Sequence, residues 1–235
     1  MSKVIDSEGF YNQVTSFYDD ISEKKIEYLN AIDHLILESL HEMNEVCLVD
    51  IGAGNGKRTN NLLKNIDIKK LLLIEPSIAF VEQLNRTFNP KDVFHGDVVD
   101  YKKKPGEFNL ALCLWNVIAH VDNPKTFLKA IHALLQPGGT LIFDINNRFN
   151  IKEYGIKNVF INLVKNNFLA NPGSFTLNTN EIKTKVYIYN LAEITALLNE
   201  TGFNINVVKF VNYKTGNIEK SQWAGQIFLV CKKLN

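Results

Sequence analysis

Val46-Cys47-Leu48-Val49-Asp50-Ile51 is an almost unbroken apolar run, and it leads straight into Gly52-Ala53-Gly54-Asn55-Gly56. A strand with one wet face alternates apolar and polar residues; a run like this one is buried on both faces, as in a parallel sheet covered by helices. The glycines allow a turn in which backbone comes close to whatever lies beyond the strand end. Arg58 to Ile66 then reads as a helix with Leu62, Leu63 and Ile66 inward. Such a unit predicts an α/β chain whose ligands bind beyond the carboxyl ends of the strands.

The alternation continues. Leu71–Ile74 is a second buried strand ending at Glu75-Pro76-Ser77, with Ser77 as N-cap of a helix over Ile78–Phe88. Val93–Asp97 is a short third strand and turn, Phe108–Leu114 a fourth strand, and Pro124–Leu135 a helix with proline in its first turn. Pro137-Gly138-Gly139 is a turn before a fifth strand, Thr140–Ile145. After a long connection, Leu191–Glu200 is an amphipathic helix, and Phe203–Tyr213 and Trp223–Lys232 are two strands joined around Lys214-Thr215-Gly216-Asn217. The expected architecture is a doubly wound, mostly parallel seven-stranded sheet with a terminal antiparallel hairpin. It forms one Rossmann-like domain over 1–235, with N-terminal helices over 1–44 as a lid and an insertion over 146–190 as a cap after strand five.

The chemistry-bearing residues fall just after the strands: the glycine turn after the first, Glu75 after the second, Asp97 after the third, and Trp115, Asn116 and His120 after the fourth. The glycine spacing is G-x-G-x-G, not the G-x-G-x-x-G of a dinucleotide fingerprint. It is not a phosphate-cradling G-x-x-x-x-G-K-[ST] either, because Arg58 stands at the Ser/Thr place. Glu75 lies about twenty residues beyond the turn, where an acid can accept both hydroxyls of a ribose.

VDIGAGNG, the glutamate of LIEPS, the aspartate of HGDVVD, LCLWNVIAHV and LLQPGGTLIFDINN together resemble the class I S-adenosylmethionine-dependent methyltransferases, over about Val46 to Lys232. The Asn116–Val121 stretch is similar to the segment of ubiquinone-type and other small-molecule O-methyltransferases in which a histidine stands near the transfer site. The resemblance implies S-adenosyl-L-methionine as cofactor, with S-adenosyl-L-homocysteine as product. Gly52, Ala53 and Gly54 would approach its methionine part, Asp50 would orient the loop or bind the ammonium indirectly, and Glu75, beside Pro76, would take the ribose hydroxyls. Asp97 and the Val98 N–H would meet the adenine; the Leu114 carbonyl would face the ammonium, flanked by Trp115 and Asn116.

His120 is the candidate general base, since histidine titrates near neutrality. Of the N-terminal aromatics Phe10, Tyr11, Phe17 and Tyr18, Tyr11 and Tyr18 are expected to touch cofactor or acceptor, and Asn146 and Arg148, with Asn147, to contact the acceptor. The expected reaction methylates a hydroxyl of a sugar, phenol or secondary-metabolite intermediate. N-methylation of a small amine such as an amino sugar is the alternative; a NAD(P)-dependent oxidoreductase or a non-catalytic cofactor-binding protein stands behind it.

Other classes lose support. The net charge is +1, without the basic excess of a nucleic-acid or anionic-membrane binder, and the [DN]-P-P-[YF] stretch of base-modifying enzymes is replaced by Leu114-Trp115-Asn116-Val117. Asn116 also replaces the acid that would hold magnesium in catechol-type enzymes, so no metal is expected. Cys47, Cys113 and Cys231 sit in apolar runs and read as core residues. His34, His41, His95 and His132 read as structural or surface residues, and Lys102-Lys103-Lys104 as a solvated loop. Neither a secretory leader nor a membrane-length apolar run is read, so a cytoplasmic protein acting on a small molecule is expected, its oligomeric state open, homodimer included.

Overall fold

The computed structural model describes residues 4–41, 43–102, 105–168 and 173–234; Lys103 and Lys104 of the lysine run lie outside the described residues. In chain order the elements begin with β1 (Val4–Ile5), α1 (Ser7–Val14), α2 (Tyr18–Glu23), α3 (Ile26–Leu40), β2 (Val46–Ile51) and α4 (Lys57–Leu62). They continue with β3 (Ile68–Glu75), α5 (Ile78–Thr87), β4 (Val93–His95), β5 (Phe108–Cys113), α6 (Pro124–Leu134) and β6 (Leu135–Ile145). The remainder comprises α7 (Ile151–Tyr154), α8 (Ile156–Phe168), β7 (Gly173–Thr179), β8 (Ile182–Ile188), α9 (Leu191–Glu200), β9 (Phe203–Val211), β10 (Ile218–Glu219) and β11 (Gln226–Lys233).

The main sheet has the order β10-β9-β11-β6-β5-β2-β3-β4. From β4 to β6 every pair is parallel, while β11 pairs antiparallel with both β6 and β9. The seven expected strands are present; the two-residue β10 adds an eighth by folding back on β9. The unbroken apolar runs follow from this placement. Leu48, Leu110 and Leu112 face a core built with Tyr28, Ile32 and Ile36 of α3. Their neighbours Val49, Ile51, Ala111 and Cys113 face the opposite core with Phe127 and Ile131 of α6 and Ile194 and Leu198 of α9. The Pro-Gly-Gly turn proves to be an excursion inside β6, whose register with β5 jumps between Phe108↔Leu135 and Leu110↔Thr140.

Two local signals hold as read: Ser77 caps α5 by accepting from the Phe80 N–H, and Pro124 opens α6 in its first turn, where Asn123, not singled out from the sequence, supplies the cap. The chain runs from β2 out to β3 and β4, then returns to β5 on the other side of β2. The switch in strand order, where open α/β sheets bind ligands, therefore lies at the ends of β2 and β5.

Residues 146–190 form their own substructure, pinched at its neck by Arg148 N–H to Tyr189 O (2.7 Å) and Tyr189 N–H to Asn146 O (3.2 Å). It contains the β7–β8 hairpin, turning at Asn180 and Glu181 with φ of 48° and 68°, the positive-φ pair of a tight hairpin turn. The N-terminal β1 adds to β8 in parallel, making a small separate sheet of order β1-β8-β7. The N-terminal helices divide: α3 buries Tyr28, Ile32 and Ile36 against the main sheet, and residues 4–23 lie over its carboxyl end. Among the described residues no helix is long and apolar enough to cross a membrane.

Candidate active site

The glycine turn is a run of backbone that other residues could not follow. Gly52, Gly54 and Gly56 have φ of 72°, 57° and 73°, the left-handed region that penalises any side chain. A Cβ on Gly52 would also come within 2.6 Å of Val117, and one on Gly56 within 2.5 Å of Leu84. At Gly54 the nearest atom is the Tyr18 hydroxyl at 3.5 Å, leaving that peptide open to the cleft. Its N–H donates to Glu75 Oε2 (2.8 Å), and the Ser77 N–H donates to Oε1 (2.8 Å). Burial nonetheless pushes the Glu75 carboxyl up to about 7, those two hydrogen bonds opposing the shift.

Beside it, Asp97 accepts from the Val99 N–H (3.0 Å) and caps the turn Val98–Asp100. Asp50 is buried beneath the loop, accepts from the Thr59 hydroxyl, and is raised by burial to about 6.

At the exit of β5 the chain takes two consecutive non-glycine residues through positive φ, Trp115 at 59° and Asn116 at 65°. Strain of this kind is retained where surrounding contacts over-determine it. Here Asp144, fully buried at the end of β6, accepts from the Trp115 N–H at 2.6 Å and from the Tyr28 hydroxyl at 2.6 Å. The Trp115 indole N–H donates to the Tyr213 hydroxyl (3.2 Å). The reversal leads into a short turn, Val117–His120, that returns His120 to the strand end. The Tyr11 hydroxyl lies 3.1 Å from His120 Nε2. Burial lowers His120 to about 4, so the ring is neutral at neutral pH, and it raises the Tyr11 phenol well above its ordinary value.

These residues separate two chambers. One, of about 370 Å³, is lined by Gly52, Gly54, Glu75, Pro76, Asp97, Val98 and Leu114 among others, within the roughly 300–1,000 Å³ usual for small-molecule sites. The other, about 290 Å³, lies under the residue 146–190 substructure and is lined by Phe10, Val14, Asn116, Asn146, Glu153, Phe175 and Tyr213 among others. Tyr11, Tyr18, Trp115 and His120 line both and form the wall between them. Tyr18 packs between Phe80 (4.8 Å) and Trp115 (5.3 Å), and Asn12 accepts from the Ser77 hydroxyl (2.7 Å), which seats α1 on the start of α5.

A third, polar recess of about 270 Å³ adjoins the glycine loop, with Asp50, Ala53, Asn55 and Arg58 in its wall. The Nε of Arg58 donates to Asp33 at 2.5 Å, while its two terminal nitrogens are buried with no partner.

Several expected site residues line other spaces than those the sequence reading gave them: Asp50 and Ala53 face the polar recess and not the first chamber. Asn116, expected beside the cofactor, lines the second chamber and not the first. Arg148, expected on the acceptor, lines none of the three; it is 3% exposed, pairs with Glu193 at 3.0 Å and donates to the Ile188 carbonyl at 3.1 Å, because the neck of the 146–190 excursion turns it inward. Asn146 does line the second chamber, accepting from Gln226 Nε2 at 3.1 Å, whereas Asn147 is taken up by the neck, its amide donating to the Gln222 and Gly225 carbonyls. His95 contacts the Pro76 carbonyl (3.1 Å), and His132 packs edge-on against Phe203.

Sequence reasoning missed Asp144, Arg58 and Glu153. An acid closing the apolar run LIFD and a cation two residues past the last glycine of the turn were the available signals for the first two. Glu153 carried none, since only the folded neck brings α7 to the chamber.

Residues 22–207 match the methyltransferase domain family. Among curated proteins the chain is 25% identical over 138 residues to the ubiquinone biosynthesis O-methyltransferase of Coxiella burnetii, and 27% over 155 residues to that of Methylococcus capsulatus. The matches cover 56% and 63% of both partners respectively, so the chain spans a little over half the length of these relatives. Among solved structures, an S-adenosylmethionine-dependent methyltransferase from Clostridium acetobutylicum superposes with a TM-score of 0.66 at 18% identity, covering 96% of this chain and 99% of that one. The Burkholderia thailandensis 1,6-didemethyltoxoflavin-N1-methyltransferase, solved with its substrate and S-adenosylhomocysteine, superposes with a TM-score of 0.63 at 16% identity, covering 100% and 94%. The glycine-turn chamber has the fold of S-adenosylmethionine-dependent enzymes around it, and the chain belongs to the methyltransferase domain family.

Proposed function

We propose that the chain transfers a methyl group from S-adenosylmethionine to a small molecule held in the second chamber. The observation that carries this reading is the shared wall: one chamber bounded by the strand-end acids and glycines, another beneath residues 146–190, meeting at Tyr11, Tyr18, Trp115 and His120. The residues present suit the cofactor. Glu75 would accept from the ribose hydroxyls, Asp97 and the Val98 N–H would meet the adenine, and Gly52, Gly54 and Leu114 would line the methionine part. The orphaned Arg58 nitrogens supply donors for a carboxylate at the loop, and Asp50 supplies negative charge toward an ammonium. S-adenosylmethionine, when bound, supplies a methyl group already activated on a sulfonium, so the protein's task is positioning and exclusion of water.

Residues 4–23 act as the lid and residues 146–190 as the cap. The first acceptor reading is a hydroxyl. Tyr11 stays protonated and orients the hydroxyl, while neutral His120 receives the proton. A base lowered to about 4 suffices for this, because the oxygen becomes strongly acidic only as its bond to carbon forms. The second reading is an uncharged amine, which carries its own lone pair and needs no base.

Calorimetry with S-adenosylhomocysteine and with NAD(P) tests the cofactor; binding of NAD(P) alone would sink the proposal. His120→Ala should keep cofactor affinity and lower O-methyl transfer roughly a hundredfold. Unchanged turnover would move the reading to the amine.

A further inference from the structure

We infer that the acceptor is a small molecule carrying a positively charged amine, recognised by Glu153, by the Asn116 carbonyl oxygen and by the aromatic walls of the second chamber. The inference rests on the methyltransferase reading and concerns its substrate class.

The chamber's charge is one-sided. Among the described residues its lining contains a single formally charged side chain, Glu153, and neither lysine nor arginine. Glu153 has no ion pair among the described residues. Lys25 stands 3.8 Å over the Tyr213 ring, outside the described lining; burial lowers its pKa and the Glu153 charge opposes that shift, so it lies within electrostatic reach of Glu153 without forming an ion pair with it, while Arg58 is paired with Asp33 behind the glycine loop. A carboxylate or phosphate entering this space would meet Glu153 with no lysine or arginine in the described lining to offset it, whereas a cation would be attracted to it.

The uncharged walls point the same way. Tyr11, Tyr18, Trp115 and Tyr154 line the chamber, and the faces of such rings attract ammonium groups, as the Tyr213 ring, also in the lining, already does for Lys25. The polar groups add an independent demand. Asn116 is only 6% exposed and lines the chamber, yet its Oδ1 is a buried acceptor with no donor. A buried acceptor left unpaired is costly, and a ligand N–H or O–H would satisfy it. The left-handed backbone at Trp115 and Asn116 turns this amide to the acceptor side of the wall. The cation and the methyl-accepting atom need not be the same: the accepting atom is an uncharged hydroxyl or amine beside His120, while the protonated amine lies among Glu153 and the rings.

The test uses three probes that share a para-substituted phenol and differ in charge: tyramine, para-ethylphenol and para-hydroxyphenylpropionate. Each is titrated calorimetrically into the full-length protein with and without saturating S-adenosylhomocysteine. Tyramine should bind at least roughly tenfold more tightly than the neutral phenol, and the carboxylate should bind most weakly. Glu153→Gln, which preserves side-chain size, should erase most of the difference, and Glu153→Lys should reverse it. Equal affinities, preference for the carboxylate, no binding of tyramine, or an unchanged preference in Glu153→Gln would each overturn the inference. Failure of S-adenosylhomocysteine itself to bind would overturn the methyltransferase reading and this inference with it. Cofactor binding alongside charge-blind probes would overturn this inference alone.

Discussion

The two chambers on either side of Trp115 are built by different means. On the glycine-loop side the acids are fixed by their own neighbourhood: Glu75 by the Ser77 and Gly54 N–H groups, Asp97 by the Val99 N–H, Asp50 by Thr59, while the terminal nitrogens of Arg58 stay unpartnered beside the loop. On the other side the walls come from α1, α2, α7, the β7–β8 hairpin and Tyr213, and Asn116 Oδ1 is left unpartnered. The acids of the first chamber are held in place before a ligand arrives; the second leaves the Asn116 acceptor for the ligand to satisfy. A fixed cofactor and a particular acceptor place those separate demands on one scaffold.

Asp144 is where this contrast can be broken most severely, because it supports the wall both chambers share. Asp144→Ala would leave the Trp115 N–H and the Tyr28 hydroxyl buried without their acceptor, at a cost of about 3 kcal/mol in stability. Urea denaturation reads this directly, and an unchanged midpoint would mean that the reversal at Trp115 is held by other contacts.

A second effect belongs to the glycine-loop side alone. The Glu75 carboxyl is raised from 4.5 to about 7, so its favourable contribution to the ligand-free fold is complete below pH 4.5 and is lost as pH rises through 7. Hydroxyl donors from a ribose favour the ionised form, so cofactor binding should release a proton. S-adenosylhomocysteine affinity should then rise about tenfold from pH 6 to pH 8 and level off above that. Calorimetry in buffers of different ionisation enthalpy counts the proton. Glu75→Gln should bind more weakly and lose the pH dependence; if the dependence persisted in that variant, another group would be its source.

The smallest effect sharpens the contrast from the acceptor side. Deleting residues 1–5 removes β1 from the edge of β8, where Val4 and Ile5 pair with Lys183 and Thr184. The cost should be about 1 kcal/mol, the scale of one or two backbone hydrogen bonds. Amide exchange in β8 should quicken and acceptor KM should rise, with S-adenosylhomocysteine affinity unchanged. A parallel fall in cofactor affinity would show that the two chambers are not independently built.

Much of the fold was legible because it is written in short-range patterns. Ser77 as a cap, Pro124 in the first turn of α6, Leu191–Glu200 as a helix and the central parallel strands follow from cap and proline chemistry and apolar runs. The 146–190 segment resisted reading. Its hairpin turns on Asn-Glu rather than Asn-Gly, and its apolar residues, Phe175, Leu177 and Val186, are spaced among polar ones in strands that cover a chamber rather than a packed core. Asn116 was hard to place for a related reason: sequence order puts it beside Trp115, but after two successive positive-φ residues Trp115 lines both chambers and Asn116 the second alone.

By itself the sequence determined the doubly wound class, the end of the sheet where ligands bind, and the glycine turn with its strand-end acids. Strand burial, glycine conformation and helix capping are local in cause, so a few consecutive residues suffice to specify them. Only the tertiary structure decided that Asp144 supports the Trp115 reversal, that Arg148 is spent on the neck of the cap, and that Glu153 lines the second chamber with no lysine or arginine in its described lining. Those outcomes depend on which distant segments meet in space, and buried charge and hydrogen bonding are settled by that meeting rather than by order along the chain.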